Sequence, residues 1–295
     1  MSQAPAPSRS RPFPHVIEYL LDGLGLGLFL VSACAFALLL EHPGSPVRHV
    51  LPDRLARQAL MGLAMGATLV GIVHSPCGRR SGAHLNPAVT LAFWRLGRVR
   101  GDDLAGYALG QFAGAAAGVA LVTWLAGPAL ADPHVHYVVT RPGPAGVVAA
   151  LAAEFAITFA LFSVVLRVMA DARRAAFTPW AAGALLALYI TFESPVSGTS
   201  MNPARTFGSA LLAGDWTAFA VYLVAPPLAT LAAAEWWAGG ERSRSRRSRG
   251  GCPPPRGCAK LLHLERDPCH FCGQRGLPAG TRAGAAAFTP DRRSA

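Results

Sequence analysis

The sequence predicts an all-α membrane protein: six transmembrane helices plus two re-entrant half-helices, arranged as an inverted repeat. Three observations carry this. The 295-residue chain is 52% hydrophobic but only 15% charged, against about 25% charged residues in an ordinary soluble domain, and its mean hydropathy is +0.33. Its apolar residues gather in six long runs instead of scattering through soluble cores. A ten-residue motif occurs twice, starting at Ser81 and again at Ser197.

The runs cover residues 16–40, 59–73, 104–130, 147–169, 175–192 and 216–238. Each meets or approaches the roughly 20 apolar residues that a helix needs to cross a bilayer. The first exceeds the 7–15-residue core of a typical secretion signal, so it reads as a retained span. Residues 1–14, rich in Pro, Ser and Arg, read as a disordered tail. Six spans put both termini on one side. That side then carries 22 of the 27 Lys+Arg and the other only Arg48, Arg54, Arg57, Arg141 and Arg205, which by the positive-inside bias makes it cytoplasmic. Twelve of the 22 lie beyond residue 238. That basic tail explains the net charge of +11 without a nucleic-acid partner.

Ser-Gly-Ala-His-Leu-Asn-Pro-Ala-Val-Thr (81–90) and Ser-Gly-Thr-Ser-Met-Asn-Pro-Ala-Arg-Thr (197–206) agree at six of ten positions. Each follows the second span of its half, and each half opens with a glutamate near the start of its first span, Glu18 or Glu154. Three spans per half is an odd number, so the second half enters from the opposite face, as in other inverted-repeat membrane proteins. About ten apolar residues follow each motif, and a ten-residue helix is about 15 Å long, half the hydrocarbon thickness. Such a segment enters and stops at the midplane, where irregular backbone is tolerated only inside protein or against a water-filled cavity. Gly106, Gly110, Gly114 and Gly118 recur every fourth residue, the spacing that lets helix backbones approach closely.

Asn is a strong N-cap and Pro suits the first helical turn, so a lone Asn-Pro-Ala marks only a helix start. Two inverted copies place two helix N-termini, each worth about half a positive charge, face to face. Asn86-Pro87-Ala88 and Asn202-Pro203-Ala204 then offer amide donors to a passing neutral solute while the helix ends repel cations.

These motifs, with Glu18, Glu154 and Gly110-Gln-Phe-Ala-Gly-Ala, resemble the aquaporin (major intrinsic protein) family over roughly residues 16–238. The resemblance implies a water channel with one pore per chain, a homotetramer, and residues 15–238 as an aquaporin-like domain with halves of about 15–131 and 146–238. It implies that Glu18 and Glu154 scaffold the re-entrant loops, and that Arg205 lines the outer constriction with Met61, Ile190 and Thr199. Met61 follows if His74 ends the second span as in the family; ignoring an insertion after His74 gives Gly66 instead. Water-selective members resemble Phe and His at the first two constriction positions and glycerol channels carry Trp, Gly and Phe; Ile190 fits neither. An apolar filter is closer to nodulin-type channels for boric acid, arsenite and similar uncharged solutes. The implied partners are therefore the lipid bilayer, water and small neutral solutes.

The tail, 239–295, contains Cys258, His263, Cys269 and Cys272. Four soft ligands at these spacings are a candidate zinc or other soft-metal site, the one cofactor the sequence suggests and none that transport requires. Competing classes are a secondary transporter, for which Glu18, Asp22 and Glu154 are the ionisable span residues, and a non-conducting scaffold. No nucleophile–base set accompanies the pore motifs, so an enzyme is not expected.

Overall fold

The computed structural model describes residues 15–171, 173–247 and 258–261. The remaining residues, including residues 1–14 and His263, Cys269 and Cys272 of the candidate metal site, lie outside it. Among the described residues six helices are long and apolar enough to cross a membrane. In chain order the helices are α1 (Val16–Glu41), α2 (Pro46–Val50), α3 (Arg54–His74), α4 (Pro76–Ser81), α5 (Pro87–Arg95), α6 (Gly101–Ala126), α7 (Gly146–Met169), α8 (Thr178–Phe192), α9 (Ser194–Ser197), α10 (Pro203–Ala213) and α11 (Phe219–Arg247).

The chain crosses back and forth. Glu41 at the end of α1 pairs with Arg57 in the first turn of α3 (3.1 Å), and Gln58 reaches Ser194 beyond α8 (3.2 Å), so these ends share one face. His15 just before α1 meets Asp103 in the first turn of α6 (2.8 Å), and His74 at the end of α3 contacts Trp180 at the start of α8 (5.9 Å). These share the other face, called here the termini face.

Close helix packing follows from the small residues. α1 packs most heavily on α6, and α3 on α8. A methyl group placed on Gly114 would lodge in the carbonyl of Gly23 across the α1–α6 seam, so the fourfold-spaced glycines form the contact itself. Gly66 does the same on α3: a Cβ there would meet the Gly183 carbonyl at 2.5 Å.

The half-helices α5 and α10 start where Asn-Pro requires. Asn86 and Asn202 are both extended N-caps, their side-chain oxygens accepting from Ala88 N (2.9 Å) and from Ala204 N and Arg205 N (3.1 and 3.2 Å). Pro fills N1, where its missing N–H costs nothing. Each half-helix packs against the last span of the opposite half, α10 on α6 and α5 on α11, which interlocks the two halves. Thr230 Oγ1 adds a hydrogen bond from α11 to the Ala88 carbonyl (2.8 Å).

Helix α11 runs through Arg247, further than the apolar run ending at residue 238 indicates. The helix passes through Gly239 and Gly240 and continues over residues 241–247, whose glutamate and arginines are good helix formers. The insertion after His74 folds as α4, capped by Ser75 through Gly78 N (3.0 Å).

Candidate functional site

The loops leading into α5 and α10 share an unusual backbone. Gly82, Ala83 and Leu85 have positive φ (100°, 54° and 53°), and so do Gly198, Thr199 and Met201 (87°, 49° and 52°). Left-handed conformation in a non-glycine residue costs about 1–3 kcal/mol, so something must hold it. In the second loop that is Glu154, fully buried in α7: its carboxylate accepts from Ser197 Oγ (2.9 Å), Ser200 N (2.6 Å) and Met201 N (2.7 Å).

In the first loop the corresponding group is Asp22 and not Glu18. Asp22 accepts from Ser81 Oγ (3.0 Å), His84 N (3.0 Å), Leu85 N (2.8 Å) and Gln111 Nε2 (2.7 Å). Glu18 lies one helical turn nearer the termini face and pairs with the half-exposed Arg80 (3.1 Å). The expectation for Glu18 is thus corrected: at its depth the carboxylate meets α4, while the loop amides fall one turn further in. Tyrosines complete the correspondence, Tyr107 Oη donating to the Ser81 carbonyl and Tyr222 Oη to the Ser197 carbonyl.

The two loops meet through their asparagines. Asn86 Nδ2 donates to the Met201 carbonyl (2.7 Å) and Asn202 Nδ2 to the Leu85 carbonyl (2.6 Å). A primary amide has two N–H donors, so each asparagine keeps one beyond this reciprocal clasp. Both line a cavity of about 110 Å³ walled mainly by apolar side chains, among them Leu26, Val89, Phe162 and Leu186.

A second cavity, about 580 Å³, opens toward the face opposite the termini. Met61, Ile190, Thr199 and Arg205 all line it. Arg205 borders both cavities, as do Phe29, Leu186 and Ser200, so these four stand where one space passes into the other. Phe29 and Leu186 were not legible as pore residues, being ordinary apolar members of long apolar runs. Gly66 borders neither space and belongs to the α3–α8 contact. Arg205 is partly buried, and its Nη1, which is buried, lacks a hydrogen-bond partner among the described residues. Thr199 Oγ1 donates to Glu193 Oε2 (2.5 Å), which turns its hydrogen toward protein.

Residues 258–261 lie against the first loop. Leu261 N donates to the Gly82 carbonyl (3.1 Å), His84 Nε2 pairs with the Ala259 carbonyl (3.0 Å), and Lys260 Nζ donates to the Arg79 carbonyl (2.8 Å). The Leu261 side chain lines the inner cavity. Of the candidate metal ligands only Cys258 is among the described residues; its Sγ accepts from Lys260 N (3.4 Å).

Comparison with known proteins agrees with this architecture. Residues 15–236 match the family model for the major intrinsic protein. The chain is 41% identical over 177 residues to aquaporin NIP1-3 of Oryza sativa subsp. japonica, covering 60% of this chain and 59% of that relative. It is 39% identical over 221 residues to rice aquaporin NIP1-2, covering 74% and 69%. The probable aquaporin AqpM of Archaeoglobus fulgidus is 37% identical over 186 residues, covering 59% and 73%. In fold, the chain matches the X-ray structure of the aquaglyceroporin from Plasmodium falciparum with a TM-score of 0.61 at 22% identity, over 75% of this chain and 95% of that one. With a family model spanning both halves and both re-entrant loops, this multi-pass membrane chain belongs to the major intrinsic protein family.

Proposed function

We propose that the protein is a passive channel, passing water and small uncharged solutes and excluding ions and protons. The observation that carries this reading is the meeting of Asn86 and Asn202 at one cavity, each capping a half-helix that points its N-terminus there. A water in that cavity offers its oxygen to the asparagine donors, which orients its own hydrogens away and interrupts a proton-conducting chain. The two helix N-termini, each about +0.5 of a charge, and the Arg205 guanidinium oppose cations. No step is driven, because neutral solutes need only exchange hydrogen bonds along the path.

Met61, Ile190, Thr199 and Arg205 form the selectivity constriction in this reading. The apolar Ile190 and Met61 beside Arg205 favour a solute range beyond water, with glycerol, arsenite and boric acid as the second reading. The channel is a homotetramer in the plasma membrane, with both termini cytoplasmic as the arginine distribution indicates. Cys258, His263, Cys269 and Cys272 would supply a tetrahedral thiolate–imidazole set for zinc in the tail, testable on the full chain by the absorption of bound cobalt.

The deciding experiment is stopped-flow light scattering of proteoliposomes holding either the full chain or a chain ending at Arg247. A sucrose gradient is expected to shrink one or both faster than protein-free vesicles; equal rates in all three overturn the channel reading. Re-swelling in a glycerol gradient selects the broader solute range, and its absence selects water alone.

A further inference from the structure

We infer that the segment Cys258–Leu261 is a stopper carried by the chain itself, whose receptor is the termini-face mouth of the pore. The inference rests on the channel reading for what the stopper blocks, but the docking stands on its own contacts. Three residues of the segment are as buried as core residues: Ala259 is 0% exposed, Lys260 2% and Leu261 8%. Lysine is almost never buried to this degree unless paired, and here its ammonium donates to the Arg79 carbonyl at 2.8 Å.

The receptor side is equally specific. The Leu261 amide bonds the Gly82 carbonyl, and the Ala259 carbonyl meets His84 Nε2. Both partners belong to the strained loop that Asp22 holds, the loop that presents Asn86. The Leu261 side chain enters the wall of the same cavity that Asn86, Asn202 and Arg205 line. An aliphatic side chain at the narrow apolar end of a water path closes it by removing both space and hydrogen-bond partners, as hydrophobic constrictions do. Four residues make a weak ligand by themselves. Tethered to α11, the segment acts at an effective concentration in the millimolar range, which suits a reversible closure.

Lys260 is the only lysine in the sequence, which gives a direct probe. Endoproteinase Lys-C cuts after lysine, so cleavage of the intact, folded chain reports whether the segment is undocked. The docked segment is expected to slow cleavage at least tenfold relative to a Leu261→Asp variant, whose carboxylate disfavours the apolar cavity. In proteoliposomes, Leu261→Asp and the chain ending at Arg247 are each expected to pass water at least fivefold faster per channel than the full chain. Cleavage of the full chain as fast as Leu261→Asp overturns the docking. Protection at Lys260 with identical water flow in all three proteins overturns the closure. Water flow no faster than protein-free vesicles in every protein sinks the channel reading instead, and the proteolysis result still decides the docking.

Discussion

Asp22 does for the first re-entrant loop what Glu154 does for the second. Each is a fully buried carboxylate on the first span of its half. Each accepts from a serine hydroxyl and from two successive loop amides, Ser81, His84 and Leu85 in one case and Ser197, Ser200 and Met201 in the other. The carboxylates thereby fix the left-handed turns that aim Asn86 and Asn202 at a common cavity.

Replacing Asp22 by Ala removes the acceptor of four buried donors, and each buried donor left unsatisfied costs about 1–3 kcal/mol. Glu18→Gln removes a pair whose Arg80 side chain is 54% exposed, worth at most about 1 kcal/mol. Fluorescence-detected size exclusion after heating is expected to show Asp22→Ala unfolding roughly 6–15 °C earlier than the parent, or not folding, with Glu18→Gln close to it. Equal losses from the two variants would refute the assignment of the scaffold to Asp22.

What was readable in the sequence was what local chemistry dictates. Asn-Pro fixes where a helix starts, a ten-residue apolar stretch fixes that it stops at half depth, and fourfold-spaced glycines mark a close helix contact, whose partner, α1, only the structure identifies. The choice between Glu18 and Asp22 was not readable, because one helical turn, 5.4 Å of depth, decides which carboxylate meets the loop amides. The position of Lys260 and Leu261 was invisible for another reason. Four residues in a basic, Pro/Gly-rich tail carry no periodicity, and their burial depends on a receptor formed by residues 79–84, far away in sequence.

Ile190 gives an apolar side chain to the cavity that Met61 and Arg205 also line, the proposed constriction. Ile190→His introduces a donor and a rigid ring at that point and fills part of the opening. In the Arg247-terminated chain, glycerol permeability is expected to fall at least tenfold while water permeability changes by less than threefold, read by the two stopped-flow gradients. A parallel fall in both would locate the narrowest point elsewhere along the path.

Gly114 and Gly71 make a matched pair for testing the helix seam. A Cβ on Gly114 runs into the Gly23 backbone, whereas one on Gly71 meets nothing within 4 Å. Gly114→Ala must therefore push α1 and α6 apart, at about 1–3 kcal/mol, and is expected to lower the unfolding temperature by several degrees. Gly71→Ala gains helix propensity of about 0.5–1 kcal/mol and is expected to hold or raise it. Gly114→Ala matching Gly71→Ala would mean the two helices are not in backbone contact.

At the face opposite the termini, Asp215 ties the end of α10 to the loop after α6, accepting from His136 Nε2 (2.9 Å) and Arg141 Nε (2.5 Å). Partial desolvation works against the charged carboxylate, but hydrogen bonds from His136, Thr217 and Arg141 outweigh it and hold Asp215 well below the usual carboxylate range. The sign follows from linkage: a carboxylate whose pKa is depressed by folding adds stability above its unfolded pKa, about 3.9, and loses it as the pH falls toward the folded value. Asp215→Asn is therefore expected to unfold at a lower temperature than the parent at pH 5 to 7, by a constant margin. Below about pH 4 the two curves should converge, because the parent's carboxylate is then protonated in the unfolded chain and progressively in the folded one. Differential scanning fluorimetry in detergent from pH 3 to 7 measures both limbs, and a margin that persists or widens below pH 4 would show that the ion pair is not what holds this loop to α10.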